Sequence, residues 1–211
     1  MIAPVNGTAD VLMPGFTMRP SSVPAAQTNL PRWTAPSMQT KTPGCTYLVY
    51  CADSAAVSWI SSETCLSGEE IQVFEECAEQ LNVVMLGDLD GARAGTRIVL
   101  CGPEKFVAVG ASVARSYGAL DAELVPLVLD VTEYGVVDET ARDRRVYCGG
   151  CRSVSNAHTA VGDLVLCSGC GARVIVHYHY SRDMAAFLAQ PLGRARPTGF
   201  NGFSAGKEGR A

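Results

Sequence analysis

The sequence predicts an α/β chain. A small, mostly parallel sheet with flanking helices is followed by a compact unit built around four cysteines and closed by a C-terminal helix. Three observations predict this. Between residues 44 and 141, strand-length apolar runs alternate with stretches of helical periodicity, the pattern of an open sheet crossed by helices. Four of the nine cysteines then fall in two Cys-x-x-Cys pairs. The charge also reverses at the same place: residues 1–140 carry 7 Lys and Arg against 17 Asp and Glu, while residues 141–211 carry 10 against 4. The sequence therefore divides into a Pro-rich extended arm (1–43), an α/β domain (44–141), a cysteine-organised unit with its helix (142–190) and a Gly-rich tail (191–211).

At 211 residues, 47% of them hydrophobic, the chain has material for one or two domains at about 150 residues each. No apolar run approaches the roughly 20 residues that cross a bilayer, so no membrane partner is expected. The start, MIAPVNGTADVLMPGF, has neither a cationic n-region nor an unbroken apolar h-region, so the expected location is cytoplasmic. In such a chain, paired cysteines favour metal over disulfides.

The arm holds seven of the eleven prolines, each fixing φ and removing a donor, which excludes a packed helix or a central strand. It reads either as a flexible arm or as a strap laid on a partner subunit. Tyr47-Leu-Val-Tyr50 is a short strand, and Ser54 to Ile60 starts a helix with Ser54 as candidate cap. Ile71, Phe74, Ala78 and Leu81 recur at helical spacing between Glu69 and Leu81, with glutamates on the wet side. Asn82-Val-Val-Met-Leu86 and Arg97-Ile-Val-Leu-Cys101 read as strands of the kind parallel sheets bury on both faces, with Gly87 to Gly95 as the loop between them. A helix follows Cys101-Gly-Pro-Glu104, with Pro103 at its first turn, Glu104 at its positive end, and Phe106, Val109, Val113 and Tyr117 as its buried stripe. Leu124 to Leu129 is a strand at a sheet edge, because Pro126 cannot donate to a ladder. Val174 to Tyr180 is a strand whose period of two puts Val174, Val176, Tyr178 and Tyr180 on one face and Ile175, His177 and His179 on the other. Ser181 is placed to cap a last helix carrying Met184, Phe187 and Leu188, ended by Pro191.

Cys148-Gly-Gly-Cys151 and Cys167-Ser-Gly-Cys170 are separated by fifteen residues, inside the range of a zinc ribbon. Two cysteines three apart on a tight turn aim both sulfurs at one ion while turn amides donate to the thiolates. Glycines at 149, 150, 169 and 171 supply the positive φ such turns need. The expected ligands are Cys148, Cys151, Cys167 and Cys170, with zinc at about 2.3 Å from each sulfur and rubredoxin-like iron as the competitor. A closed four-thiolate site has no open position for water, so its role is structural. No catalytic residue is assigned. His177 and His179 read as interface histidines, and His158 is needed as a ligand only if a cysteine were missing. Cys45, Cys51, Cys65, Cys77 and Cys101 read as small buried apolar residues.

The Ile98-Val-Leu-Cys101-Gly-Pro turn resembles the end of the nicotinamide-binding module of ferredoxin reductases. However, Tyr50-Cys-Ala-Asp-Ser-Ala-Ala stands where a Gly-rich phosphate loop would be, so the resemblance implies a degenerate domain without its nucleotide. CGGC…CSGCG running into VIVHYHYSRDMAAFLA resembles the small auxiliary subunit of dimethylamine monooxygenase, whose ribbon runs into a His-rich strand and a Ser-Arg helix much like His177-Tyr-His-Tyr-Ser-Arg182. That resemblance implies an accessory subunit of a multisubunit enzyme using NADPH and oxygen to release methylamine and formaldehyde. Haem, FMN and iron–sulfur groups would sit in haem-oxygenase-type and reductase-type partner subunits, and Arg182 would join the two histidines as a candidate interface residue. Two alternatives stay open: a redox carrier with iron or flavin of its own, and a nucleic-acid-binding ribbon using Arg142, Arg144, Arg145 and Arg152. The second is set against an acidic whole and a lack of aromatics interleaved with the basic residues.

Overall fold

The computed structural model describes residues 29–31, 33, 44–64, 66, 71–74, 78–129 and 141–192. Most of the arm, the segment 130–140, Cys65, Cys77 and the tail from 193 lie outside them. The described chain forms two sheets with helices around the first. The first sheet holds β1 (Tyr47–Cys51), β2 (Ile71–Val73), β3 (Arg97–Gly102) and β4 (Leu124–Val128), all parallel, in the order β2-β1-β3-β4. Its helices are α1 (Ser54–Glu63), α2 (Ala78–Asp90) and α3 (Glu104–Ser116). The second sheet holds β5 (Arg142–Cys148), β6 (Val154–Thr159), β7 (Leu164–Leu166), β8 (Arg173–Ser181) and β9 (Ala186–Pro191), in the order β6-β5-β9-β8-β7.

Alternation along β1 and β3 splits the first sheet cleanly. Val49, Cys51, Val99, Cys101 and Leu127 pack with Ala56 and Ile60 of α1, while Tyr50, Ile98, Leu100 and Val128 face α2 and α3. Both faces are buried, as parallel sheets require. The second core does not stop at α3: Val107, Ala108, Ala111 and Ala114 share it with Val146, Val174, Val176, Tyr178, Tyr180 and Phe187 of the second sheet. Helix α3 is thus covered from two sides. Gly110 lets it sit close on β3, since a Cβ there would lie 2.5 Å from a methyl of Leu100.

A buried charge cluster pins the same contact. Glu104, in the first turn of α3, meets the Arg144 guanidinium at 3.4 Å, and Arg144 also donates to the Thr159 carbonyl at 2.9 Å and lies over the Phe187 ring. The arm contributes as well. The Asn29 side-chain amide donates to the Tyr180 carbonyl at 2.7 Å and accepts from the Tyr180 amide at 2.9 Å, with Leu30 buried beside it. The described part of the arm therefore straps the chain's own second sheet.

Several expectations are corrected. Where a helix was read from 69 to 81, Ile71–Val73 forms the short edge strand β2 and the helix begins only at Ala78. The run Asn82 to Leu86 lies inside α2. Leu81 and Met85 are fully buried and Leu89 partly so, a four-residue repeat that the unbroken apolar run conceals. The expected loop from 87 is helix as far as Asp90, held by Asp88, which accepts from Tyr50 Oη and Gln72 Nε2 at 2.8 Å each. Asp53, not Ser54, caps α1, its carboxylate accepting from the Ala56 amide at 2.8 Å. In α3 only Val109 of the expected stripe is buried, and Tyr117 is 41% exposed, because two sheets rather than one select the buried positions.

The C-terminal helix is absent from the described residues. Ser181 does accept from the Met184 amide, at 3.3 Å, but the cap closes a turn ending at Ala185 with φ 47°. The chain then returns as β9, paired parallel to β5 and antiparallel to β8. Burial of Ala186, Phe187 and Ala189 in the second sheet outweighs the local helical signal. The strand at 124–128 is at the sheet edge as expected, and the two-face alternation of β8 holds: Val174, Val176, Tyr178 and Tyr180 are buried, His177 is half-buried and His179 exposed.

Candidate metal centre

The four cysteines come from two turns of the second sheet. Cys148 ends β5 and Cys151 follows in the turn to β6; Cys167 follows β7 and Cys170 precedes β8. The two turns share one hydrogen-bond scheme. The amide four residues on returns to the first cysteine's carbonyl (Arg152 to Cys148 and Gly171 to Cys167, each 2.8 Å). The first cysteine's own amide donates to the carbonyl five residues on (Ser153 and Ala172, each 2.9 Å). The left-handed residue falls at the equivalent place in both, Arg152 at φ 66° and Gly171 at φ 69°. The expectation that Gly149, Gly150 and Gly169 take positive φ is therefore corrected. Two of them answer to space instead: a Cβ on Gly150 would come within 2.8 Å of the Pro191 ring, and one on Gly169 within 2.3 Å of Ser153 Oγ.

These turns bring the four Sγ atoms within 4.8 Å of one another, Cys151 to Cys167 at 3.5 Å and Cys148 to Cys170 at 4.0 Å. Four sulfurs about 2.3 Å from one ion stand about 3.8 Å apart, so this group is of the size that a tetrahedral ion such as zinc requires. Cys148 and Cys167 are buried, while Cys151 and Cys170 reach the surface.

The surroundings favour thiolate at Cys167 and Cys151. The Ser153 hydroxyl, 3.2 Å from Cys167, and then the Cys170 amide bring the Cys167 thiol down to about 5. The same hydroxyl, 3.0 Å from Cys151, and the Ser153 amide lower Cys151 as well. The Ala172 amide pulls Cys170 down, but its hydrogen bonds with Cys151 and Cys167 leave it raised, at about 11. Without an ion the sulfurs share protons; a cation among them takes over that role. Ser153, and the Ser155–Ser168 pair at 2.8 Å that ties one turn to the other, were not singled out from sequence. Only the position of Ser153, two residues past Cys151, could have marked it.

The histidines lie elsewhere. Among the described residues the metal-competent group holds the four cysteines and no histidine. His158 pairs with Asp143 at 2.9 Å on the exposed side of β6. His177 is held below its ordinary value by partial burial and by His179. Arg182 meets Asp121 at 3.1 Å, an ion pair within the chain. Cys51 and Cys101 are buried neighbours across β1 and β3, in register, and Cys45 is half-buried.

Comparison with known proteins bears on the same strands. Residues 145–189 match the family described as dimethylamine monooxygenase subunit DmmA-like, C-terminal domain. No curated protein and no solved structure matches the chain. The matched segment holds all four cysteines, so the second sheet and its sulfur cluster are what is similar to the C-terminal domain of a DmmA-like dimethylamine monooxygenase subunit.

Proposed function

We propose that this chain is a non-catalytic accessory subunit of a multisubunit, cytoplasmic, NADPH- and oxygen-dependent dimethylamine monooxygenase, in which a zinc ribbon organises the haem-bearing and reductase subunits. The observation that carries the reading is the closed four-sulfur group inside the DmmA-like domain. Cys148, Cys151, Cys167 and Cys170 would hold zinc, which supplies a fixed cross-link between the two turns and leaves no coordination position for substrate.

The first sheet supports an accessory role. Its order changes direction between β1 and β3, the crevice where doubly wound sheets seat nucleotides. Here the chain's own groups stand at that crevice. Gly102, at φ +152°, lets the β3–α3 turn press on Ala52, where a Cβ would lie 2.4 Å from the Ala52 methyl. The Asp53 carboxylate already accepts from the α1 amide that would face a phosphate. The Cys-Gly-Pro turn is thus read as a degenerate reductase-like feature, its glycine kept for close approach.

Metal and flavin analysis with a visible spectrum on the purified chain tests this. One zinc per chain and no colour is the expected outcome. Stoichiometric iron or flavin would overturn it in favour of a redox carrier, and tight salt-dependent binding to random-sequence DNA would favour the nucleic-acid reading.

A further inference from the structure

The second sheet has one face in the core and one without a cover among the described residues. Register identifies the residues of the second face. Val154 of β6 opposes Tyr147 of β5, Tyr147 opposes Leu188 of β9, and Ile175 of β8 opposes Leu164 of β7. Directly opposed residues share a face, and Ile175 opposes Gln190, which lies two residues from Leu188 on the same face of β9. These five apolar side chains therefore stand in a strip on one face across all five strands, about 19 Å at a strand spacing near 4.8 Å, with His177 and Gln190 between Leu188 and Ile175. None of the five packs with the core that buries the other face. Leu164 is 44% exposed and Leu166, on the same side of β7, 69%.

The strip has a cationic rim. Arg145 and Arg173 stand on this face by the same alternation, at its β5 and β8 edges. The one carboxylate on these strands' open side, Asp143, is taken by His158. Four of the five side chains are aliphatic, Tyr147 is the one aromatic among them, and the arginines stand at the edge. That arrangement fits a protein surface better than a nucleic acid, which calls for cations and stacking aromatics together at the centre.

We propose that this open face docks an apolar ridge edged with carboxylates on another subunit of the monooxygenase, with Leu188 and Ile175 as the buried centre and Arg145 and Arg173 steering the approach. This rests on the accessory-subunit reading and names the surface it uses. The residues matching the DmmA-like domain, 145–189, include the whole strip.

The test titrates the full, metal-loaded chain against the purified remaining subunits of the dimethylamine monooxygenase. Leu188→Asp and, independently, Leu164→Asp weaken the complex, the central change by about 30-fold or more. Arg145→Glu with Arg173→Glu slows association several-fold and flattens its salt dependence. Val83→Asp, on the 71%-exposed outer side of α2, leaves binding unchanged. Equal binding by wild type and both strip variants overturns the docking face while leaving the accessory reading intact; no binding by wild type to any subunit overturns that reading itself. A melting temperature lowered by more than about 10 °C in isolated Leu188→Asp would show that the chain covers its own strip, and concentration-dependent self-association lost in the same variant would assign the face to a second copy. Either result overturns the proposal.

Discussion

The two sheets of this chain are stabilised in different ways. The first is parallel, buried on both faces between α1 on one side and α2 with α3 on the other, and its strands are continuous apolar runs. The second shares a core with α3 on one face, leaves the other uncovered among the described residues, and ends in two turns whose sulfurs converge on one point. Burial alone can hold the first. A sheet with one packed face gains from an additional constraint, and four thiolates around an ion would provide one. The family match falls on the second sheet alone, the one that carries the sulfur cluster.

That contrast predicts its own largest effect. Cys148→Ser or Cys170→Ser, or a strong chelator, removes a constraint worth on the order of 10 kcal/mol in zinc-folded units. Amides of β5 to β9 lose hydrogen-exchange protection while those of β1, β3 and β4 keep it. Uniform loss across both sheets would instead show that α3 couples them into one cooperative unit.

The coupling can be measured directly at Glu104. With Arg144 buried against it, Glu104→Leu leaves a guanidinium without its carboxylate and costs about 3–5 kcal/mol, whereas Glu104→Leu with Arg144→Met costs far less. Chemical denaturation of the four-member cycle gives the interaction energy. Additive losses would mean that the contact between α3 and the second sheet depends on its apolar side chains alone.

A smaller effect belongs to the arm. Asn29→Ala removes both hydrogen bonds to Tyr180 and leaves that backbone amide and carbonyl without them, a loss of about 1–3 kcal/mol. The loss should appear in the second sheet's stability and not in the first's. Unchanged exchange at Tyr180 and Phe187 would show that the arm contributes nothing there.

The sequence disclosed the site better than the fold, for a physical reason. Four cysteines at fixed spacing carry their chemistry wherever the strands run, so the sulfur cluster was legible from Cys148 to Cys170 alone. Helix and strand between 69 and 90 were not, because Ile71 and Phe74 are three apart in a strand end, while Leu81 and Met85 are four apart within an unbroken apolar run. Ser181 shows the same limit: a cap specifies the first hydrogen bond of a turn, and the path of the chain beyond it depends on whether Ala186, Phe187 and Ala189 find a sheet to join. Arg152 is the subtler case, because nothing in its side chain announces a left-handed backbone.

The two cysteine turns sharpen the comparison at its finest scale. They share hydrogen bonds and the left-handed position, but one places arginine there and the other glycine. A non-glycine residue in that conformation costs about 1–2 kcal/mol, partly offset by the smaller unfolded-state entropy of a residue with a side chain. Nothing lies within 4 Å of a Cβ built on Gly171, so Gly171→Ala tests backbone strain free of steric clash. It should destabilise the metal-loaded protein by about 1 kcal/mol, and Arg152→Gly should stabilise it by up to the same amount. Melting temperature and chelator competition read both. The opposite sign at Arg152 would mean that the exposed guanidinium contributes more than its backbone costs, and the two turns would then be equivalent in shape but not in energy.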